Sequence, residues 1–155
     1  MEKLVSNANK HYLALSLSGN TDKEILSQMA NELYKEGYVK KTFQDAIIKR
    51  EEIFPTGLPT GAISVAIPHT DPEHVNEAAI CLGILDKPVE FQVMGMENEK
   101  VEVSLLFMLA IKHKEDQLGT LQKLIATCQN QEMLSVLLTK DLDKINEVMT
   151  DLTSN

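Results

Sequence analysis

The strongest constraint on the fold is an apolar run that ends at a proline and is followed at once by a histidine. Ile63, Val65 and Ile67 alternate with smaller residues, which is the periodicity of a β-strand. Pro68 lacks the backbone donor that a continuing central strand needs, so the strand should end there. We therefore expect His69 at a strand end, held by a rigid element and exposed to solvent, where a neutral imidazole can act as a nucleophile or a base.

The rest of the chain alternates between strand and helix patterns. Four further runs have strand character, and these are 12–17, 79–85, 89–93 and 101–111. Thr21 and Glu24 form a capping box that predicts a first helix ending at Gly37. A second helix should begin near Thr42 and end at Pro55.

From residue 115 onward the apolar residues recur at helical spacing, which predicts further helices. With the elements above, the chain is predicted to contain about five strands and about five helices. Strands interleaved with helices predict an α/β fold, with a mixed β-sheet flanked by helices on both sides. A length of 155 residues is enough for a single core, so we expect one domain over residues 1–155.

Charge and apolar patterning argue against three classes of protein, namely nucleic-acid-binding, membrane-spanning and secreted proteins. A net charge of -8 argues against a nucleic-acid partner, because phosphates require a basic surface. The longest purely apolar run, 105–111, is far shorter than the roughly 20 residues that a bilayer requires, and the N-terminus lacks the apolar core of a secretory signal. Cys81 and Cys128 lie in apolar patterns and should be buried, reduced thiols. We expect a cytoplasmic protein without direct membrane insertion.

The loop before the histidine strand points to a functional site. Residues 54–61 contain two prolines and two glycines, which favour a defined conformation over a flexible linker. This loop joins the end of the helix that carries Arg50 to the strand that carries His69. Arg50, Thr56 and His69 are therefore expected to converge.

Several chemistries are open to a histidine in the position of His69. His69, Asp71, His74 and His113 are all metal-ligand types, but they lack the spacing that places two imidazoles on one helical face, so we expect no metal. A metal-dependent hydrolase using His69, Asp71 and His74 stays an alternative. Ser64 has no nucleophile-elbow glycines around it, so the sequence does not predict a serine hydrolase. No Walker or dinucleotide glycine pattern is present to predict a nucleotide site.

Direct phosphoryl transfer to the imidazole needs fewer groups than these alternatives. A neutral imidazole can accept a phosphoryl group, and the resulting N–P bond is labile enough to pass the group onward. The phosphoryl oxygens need a cation or hydroxyl donors beside them, which Arg50 and the Thr56 or Thr70 side chains could supply.

The same residues carry a family resemblance. Segments 50–52 (Arg-Glu-Glu), 54–58 (Phe-Pro-Thr-Gly-Leu) and 65–70 (Val-Ala-Ile-Pro-His-Thr) occur in the order and spacing of one known family. The chain resembles the IIA component of the bacterial phosphoenolpyruvate:sugar phosphotransferase system, in its mannitol/fructose superfamily, from about Leu4 to Leu152. It is most similar to the galactitol-type branch.

The resemblance implies a role for each matched residue. His69 would accept a phosphoryl group on Nε2 from the carrier protein HPr and pass it to a cysteine of a IIB partner, which serves the membrane component IIC. Arg50 would lie beside the phosphoryl group and Thr56 would border the site, with no metal or organic cofactor. The family fold, a mixed sheet between helical layers, agrees with the pattern-based prediction.

Two further points follow from the resemblance. Many relatives carry a second active-site histidine where this chain has Gln117, so Gln117 becomes a candidate supporting residue and His113 is expected at the surface. The function would be uptake of a sugar, of galactitol type by branch. The alternative is a regulatory IIA of the nitrogen type, in which phosphorylation of His69 controls partner binding.

Overall fold

The structure is a computed structural model that describes residues 1–154. Its centre is a six-stranded sheet with the strand order β1-β2-β5-β6-β4-β3. The strands are β1 (Glu2–Asn7), β2 (Tyr12–Leu17), β3 (Gly57–Leu58), β4 (Ser64–Ala66), β5 (Ala79–Gln92) and β6 (Lys100–Ala110). Strands β2 and β5 pair in parallel, as do β4 and β6, while the other three neighbouring pairs are antiparallel. The predicted mixed sheet is confirmed, with six strands in place of about five.

Five α-helices cover the sheet within residues 1–154. They are α1 (Asp22–Lys35), α2 (Phe43–Ile53), α3 (Gln117–Cys128), α4 (Gln131–Leu138) and α5 (Leu142–Thr153). One apolar cluster lies between the sheet and the pair α1 and α2, and a second lies between the opposite face and α3 to α5. Helices therefore flank the sheet on both sides, as the sequence predicted.

The local signals that predicted β2 and α1 are visible in the structure. Leu13, Leu15 and Leu17 of β2 share the cluster that faces α1 and α2. The hydroxyl of Thr21 accepts a hydrogen bond from the Glu24 backbone N–H at 3.2 Å, which caps the first turn of α1. Both predictions are confirmed because strand alternation and helix capping depend only on neighbouring residues.

Three strand predictions differ from the structure. Strand β1 was not predicted, since its residues are largely exposed at the sheet edge and show little alternation. Segment 57–58, predicted as loop, forms the short edge strand β3 because β4 offers it an antiparallel partner. Runs 79–85 and 89–93 are one strand, β5, in which an irregularity in the pairing with β6 between Ile84 and Val89 accommodates the expected turn.

Cys81 in β5 and Cys128 in α3 are free and buried, as predicted. Burial raises the pKa of both thiols, that of Cys128 to about 12, so neither thiol is ionised near neutral pH. None of the helices described in residues 1–154 has the length and apolar character needed to cross a bilayer.

Candidate functional site

His69 lies just beyond β4, at the predicted strand end. The backbone N–H of Leu109 in β6 donates to the carbonyl oxygen of Pro68 at 2.9 Å, and His69 itself forms an isolated parallel bridge with Leu109. Pro68 has no N–H to donate but its carbonyl still accepts, so the chain stays attached to the sheet after the strand has ended. The backbone of His69 is thus fixed by the central strand β6.

The imidazole of His69 has a defined tautomer. Its Nδ1 atom lies 2.9 Å from the carbonyl oxygen of Ile67. A carbonyl oxygen can only accept a hydrogen bond, so Nδ1 carries the proton in the neutral ring. The lone pair of the neutral imidazole is therefore on Nε2.

His69 is more buried than the sequence predicted, with 9% of its surface exposed. The expectation of a solvent-exposed ring was wrong because the hydrogen bond to Ile67 holds the ring against the strand end. The pKa of His69 is lowered, first by burial and further by the Arg50 cation, while the Ile67 carbonyl and Asp71 act in the opposite direction. The ring is therefore neutral near pH 7, the state in which a histidine is nucleophilic.

Arg50 comes from the last turns of α2 and is held on two sides. Its guanidinium carbon lies 4.6 Å from the centroid of the Phe54 ring, within cation–π range. Its Nη1 atom lies 3.6 Å from Oδ1 of Asp71. The Nε atom is buried and has no hydrogen-bond partner within residues 1–154. A buried guanidinium donor without a partner is costly, and an anionic ligand would satisfy it.

Thr56 is buried and bound to a second buried polar residue, Glu51. The Thr56 backbone N–H donates to Glu51 Oε2 and the Thr56 hydroxyl donates to Glu51 Oε1, both at 2.7 Å. Burial raises the pKa of Glu51 to about 7, against the opposing effect of these two hydrogen bonds. The hydroxyl proton of Thr56 is engaged with Glu51 in this structure.

The burial of Glu51 was not predicted, although the residue belongs to the 50–52 motif. A signal was present, since Phe43, Ile47 and Glu51 follow at intervals of four and share the buried face of α2. Periodicity therefore places a carboxylate inside the protein, where it must find donors.

The remaining predicted residues lie in different surroundings. Thr70 is buried beside His69. Gln117 is half-buried at the start of α3, and His113 is exposed before it. No hydrogen bond within residues 1–154 joins Gln117 to His69. The described residues contain no group of three or more histidine, cysteine or acidic side chains arranged to hold a metal. The Nδ1 atom of His74, one of the candidate ligands, lies 2.8 Å from the Thr42 hydroxyl.

A groove of about 540 Å³ lies next to Arg50 on the side of Phe54. Four exposed apolar side chains line it, and these are Ile53, Phe54, Met94 and Met96. Glu52 and Glu97 also line it, so the apolar surface carries acidic groups. The Met94 backbone N–H donates to the Gly57 carbonyl at 2.8 Å, which attaches the β5–β6 turn to the start of β3, directly after Thr56. We call this surface the apolar groove.

Comparison with known proteins gives a consistent assignment. The family model described as phosphoenolpyruvate-dependent sugar phosphotransferase system, EIIA 2, matches residues 7–151. The galactitol-specific EIIA component of the PTS system of Escherichia coli (strain K12) is 32% identical over 127 residues, which are 82% of this chain and 84% of that protein. The predicted family and its galactitol-type branch are both supported by these matches.

Solved structures share the fold. The crystal structure of IIA mannitol from Escherichia coli has a TM-score of 0.73 at 19% identity, covering 94% of this chain and 99% of that chain. The complex of enzyme IIA mannitol and phosphorylated enzyme IIB mannitol from Escherichia coli gives a TM-score of 0.71 at 19% identity, covering 94% and 98%. These likenesses confirm the predicted mixed α/β fold.

Proposed function

The chain belongs to the EIIA 2 family of the phosphoenolpyruvate-dependent sugar phosphotransferase system, and we propose that His69 is the residue that carries its phosphoryl group. Members of this family are phosphotransferase components. The observation that carries the proposal is the hydrogen bond from His69 Nδ1 to the Ile67 carbonyl at 2.9 Å, because it leaves the Nε2 lone pair for attack on phosphorus.

The transfer step uses few groups of this chain. The Nε2 lone pair of His69 forms the new N–P bond while the N–P bond of the phosphorylated donor breaks, and its electron pair stays with the donor. Nδ1 keeps its proton throughout. The ring gains positive charge as the bond forms, and the Ile67 carbonyl oxygen stabilises that charge through the hydrogen bond it already accepts.

Arg50 is proposed to hold the phosphoryl oxygens. Its buried Nε donor, which has no partner within residues 1–154, supports this role. The role is also supported by the effect of the Arg50 charge, which lowers the pKa of the His69 ring. We propose that Thr70, which follows His69 in the chain, and Gln117, at the start of α3, support the phosphoryl group. Binding of phosphate by the Thr56 hydroxyl would require its proton to leave Glu51, so we assign Thr56 to the border of the site.

Two proteins are proposed as partners, HPr as phosphoryl donor and a IIB component as acceptor, which in turn serves the membrane component IIC. The apolar groove supports a protein partner, because it joins the site through Phe54 and offers apolar surface with acidic residues beside it. Acceptance by IIB is also supported by the fold shared with a IIA that forms a complex with phosphorylated IIB.

The sugar and the setting are proposed from the relatives. Identity of 32% to a galactitol-specific EIIA component supports a galactitol-type substrate for the whole system. We propose a cytoplasmic location because phosphoenolpyruvate, the donor in the family description, is a cytoplasmic metabolite. The match over residues 7–151 supports a single EIIA domain.

The test is a phosphorylation assay with phosphoenolpyruvate, enzyme I and HPr, read by intact mass. Wild-type protein should gain one acid-labile phosphoryl group and His69→Ala should gain none. Absence of labelling in wild type, with HPr known to be phosphorylated, would overturn the proposal.

A second stage separates transport from regulation. Labelled protein is mixed with the cognate IIB, and we expect the phosphoryl group to move to a IIB cysteine. Labelling of His69 without transfer to IIB, and without support of sugar uptake in cells, would instead favour the regulatory role.

A further inference from the structure

A continuous series of hydrogen bonds runs from a buried carboxylate to the imidazole of His69. Glu51 accepts from the backbone N–H and the hydroxyl of Thr56, both at 2.7 Å. The Thr56 carbonyl accepts from the Ile67 backbone N–H at 3.3 Å. The Ile67 carbonyl accepts from His69 Nδ1 at 2.9 Å. Each residue in the series fixes the backbone of the next.

The first residue of this series is a costly one to bury. Glu51 is 6% exposed, and no lysine or arginine lies within 4 Å of its carboxylate in residues 1–154. An apolar side chain at this position of α2 would be cheaper to bury. A buried carboxylate that receives both donors of one threonine therefore has a use other than packing.

We propose that Glu51 is a positioning residue for phosphoryl transfer, which acts on His69 through Thr56 and Ile67. This inference rests on the proposed function of His69. Thr56 precedes β3, which has only two residues and pairs with β4 at Gly57 and Leu58. So short a strand has few bonds of its own, those to β4 and the one from the Met94 N–H to Gly57, and the two bonds from Thr56 to Glu51 anchor it further to the rigid helix α2.

The consequence at the active site concerns the tautomer. If Thr56 moves, the Ile67 N–H loses its acceptor, and the Ile67 carbonyl is restrained on one side only, by the pairing of the neighbouring residues with β6. His69 Nδ1 then loses its fixed acceptor, and the neutral ring can place its proton on Nε2. The Nε2–H tautomer cannot attack phosphorus through Nε2, so transfer slows in proportion to its population.

The experiment compares two substitutions of Glu51 with one matched control. Glu51→Met keeps the buried volume and removes both acceptors. Glu51→Gln keeps both contacts in an altered form, since its amide oxygen accepts from the Thr56 N–H and its amide N–H donates to the Thr56 hydroxyl. Glu32→Met is the control, because Glu32 is also buried but belongs to α1 and pairs with Lys3 and Lys35.

Two readouts are needed. The 15N NMR shifts of the His69 ring nitrogens report the tautomer without any phosphorylation. The rate of labelling by phosphoramidate, a small phosphoryl donor, reports nucleophilicity without a docked protein. We expect Glu51→Met to leave only about one tenth of the neutral ring as the Nδ1–H tautomer, and therefore to slow labelling by on the order of tenfold. Glu51→Gln should restore both towards wild type, and Glu32→Met should change neither.

A folded Glu51→Met variant with the wild-type tautomer and labelling rate would overturn the inference. If that variant does not fold, Thr56→Val decides, since it removes the hydroxyl bond alone, and an unchanged tautomer ratio there would equally contradict the role of the series. Failure of the proposed function is distinguishable. In that case wild type would not be labelled, whereas the tautomer could still be measured.

Discussion

The Nδ1 atom of His69 lies 2.9 Å from the carbonyl oxygen of Ile67, two residues earlier in the chain. Because Pro68 separates them, the peptide between Ile67 and Pro68 carries no N–H that could compete for the imidazole. The ring is thus oriented by backbone that β4 and β6 already hold in place.

This relationship predicts where phosphate is attached. We expect the phosphoryl group on Nε2, with Nδ1 still protonated and bonded to the Ile67 carbonyl. The measurement is 1H–15N–31P NMR of the phosphorylated protein, in which phosphorus should couple to the nitrogen that is not hydrogen bonded. Coupling to Nδ1 would show that the ring leaves its observed orientation during transfer.

Arg50 should contribute strongly to transfer and little to stability. Replacing Arg50 with Met removes the donor proposed to face the phosphoryl oxygens, and we expect labelling by phosphoramidate to slow by about 10². Arg50→Lys should recover only part of the rate, because a lysine lacks the planar fork. Lys112→Met is the matched control, a cation whose Nζ donates to the Val75 carbonyl at 3.1 Å. Equal rates for wild type and Arg50→Met would remove Arg50 from the site.

The apolar groove should affect only transfer between proteins. In the double variant Ile53→Ser and Met96→Ser, both altered side chains are exposed, so folding should be preserved. We expect labelling by phosphorylated HPr to need about tenfold more HPr, with the phosphoramidate rate unchanged. Leu142→Ser, an exposed apolar residue at the start of α5, is the control. An unchanged requirement for HPr would exclude the groove as its docking surface.

Gly57 and Gly119 should respond in opposite directions to the same substitution. A Cβ at Gly57 would lie 2.5 Å from the Gln92 carbonyl oxygen, which is backbone and cannot move aside. Gly57→Ala should therefore lower the free energy of unfolding by about 2 kcal/mol. A Cβ at Gly119 meets nothing within 4 Å. Gly119→Ala should therefore raise the free energy of unfolding by about 0.5–1 kcal/mol through helix propensity. Urea titration measures both, and a neutral Gly57→Ala would contradict the close approach.

The buried Glu51 predicts a pH dependence of stability. Its pKa rises from 4.5 to about 7 on folding, so between these values the folded state keeps a proton that the unfolded state has released. The free energy of unfolding of wild type, relative to Glu51→Gln, should therefore fall as pH rises from about 4.5 to about 7 and stay level above. The total change should be of order 3 kcal/mol. Urea titrations across this range measure it, and a difference independent of pH would show that Glu51 is ionised throughout.

Much of the fold was predictable because its signals are local. Alternation of Leu13, Leu15 and Leu17 is enough to define β2, and the Thr21 hydroxyl caps α1 through a residue three positions away. Pro68 cannot donate to a central ladder and directly precedes His69, so the position of His69 at a strand end followed from two adjacent residues. The residue motif around Arg50, Thr56 and His69 was sufficient to indicate the family that the comparisons support.

Only the tertiary structure decided how these residues act on one another. The edge strands β1 and β3 exist because β2 and β4 supply partners, which no periodicity within 2–7 or 57–58 reveals. The burial of His69 and the apolar groove between α2 and the β5–β6 turn depend on segments distant in sequence. The bonds from Thr56 to Glu51 span only five residues, but they depend on the path that the chain takes as it leaves α2. Sequence periodicity records which face of an element is apolar. Hydrogen-bond partners and the pKa values that depend on them are set by the groups that folding brings within reach.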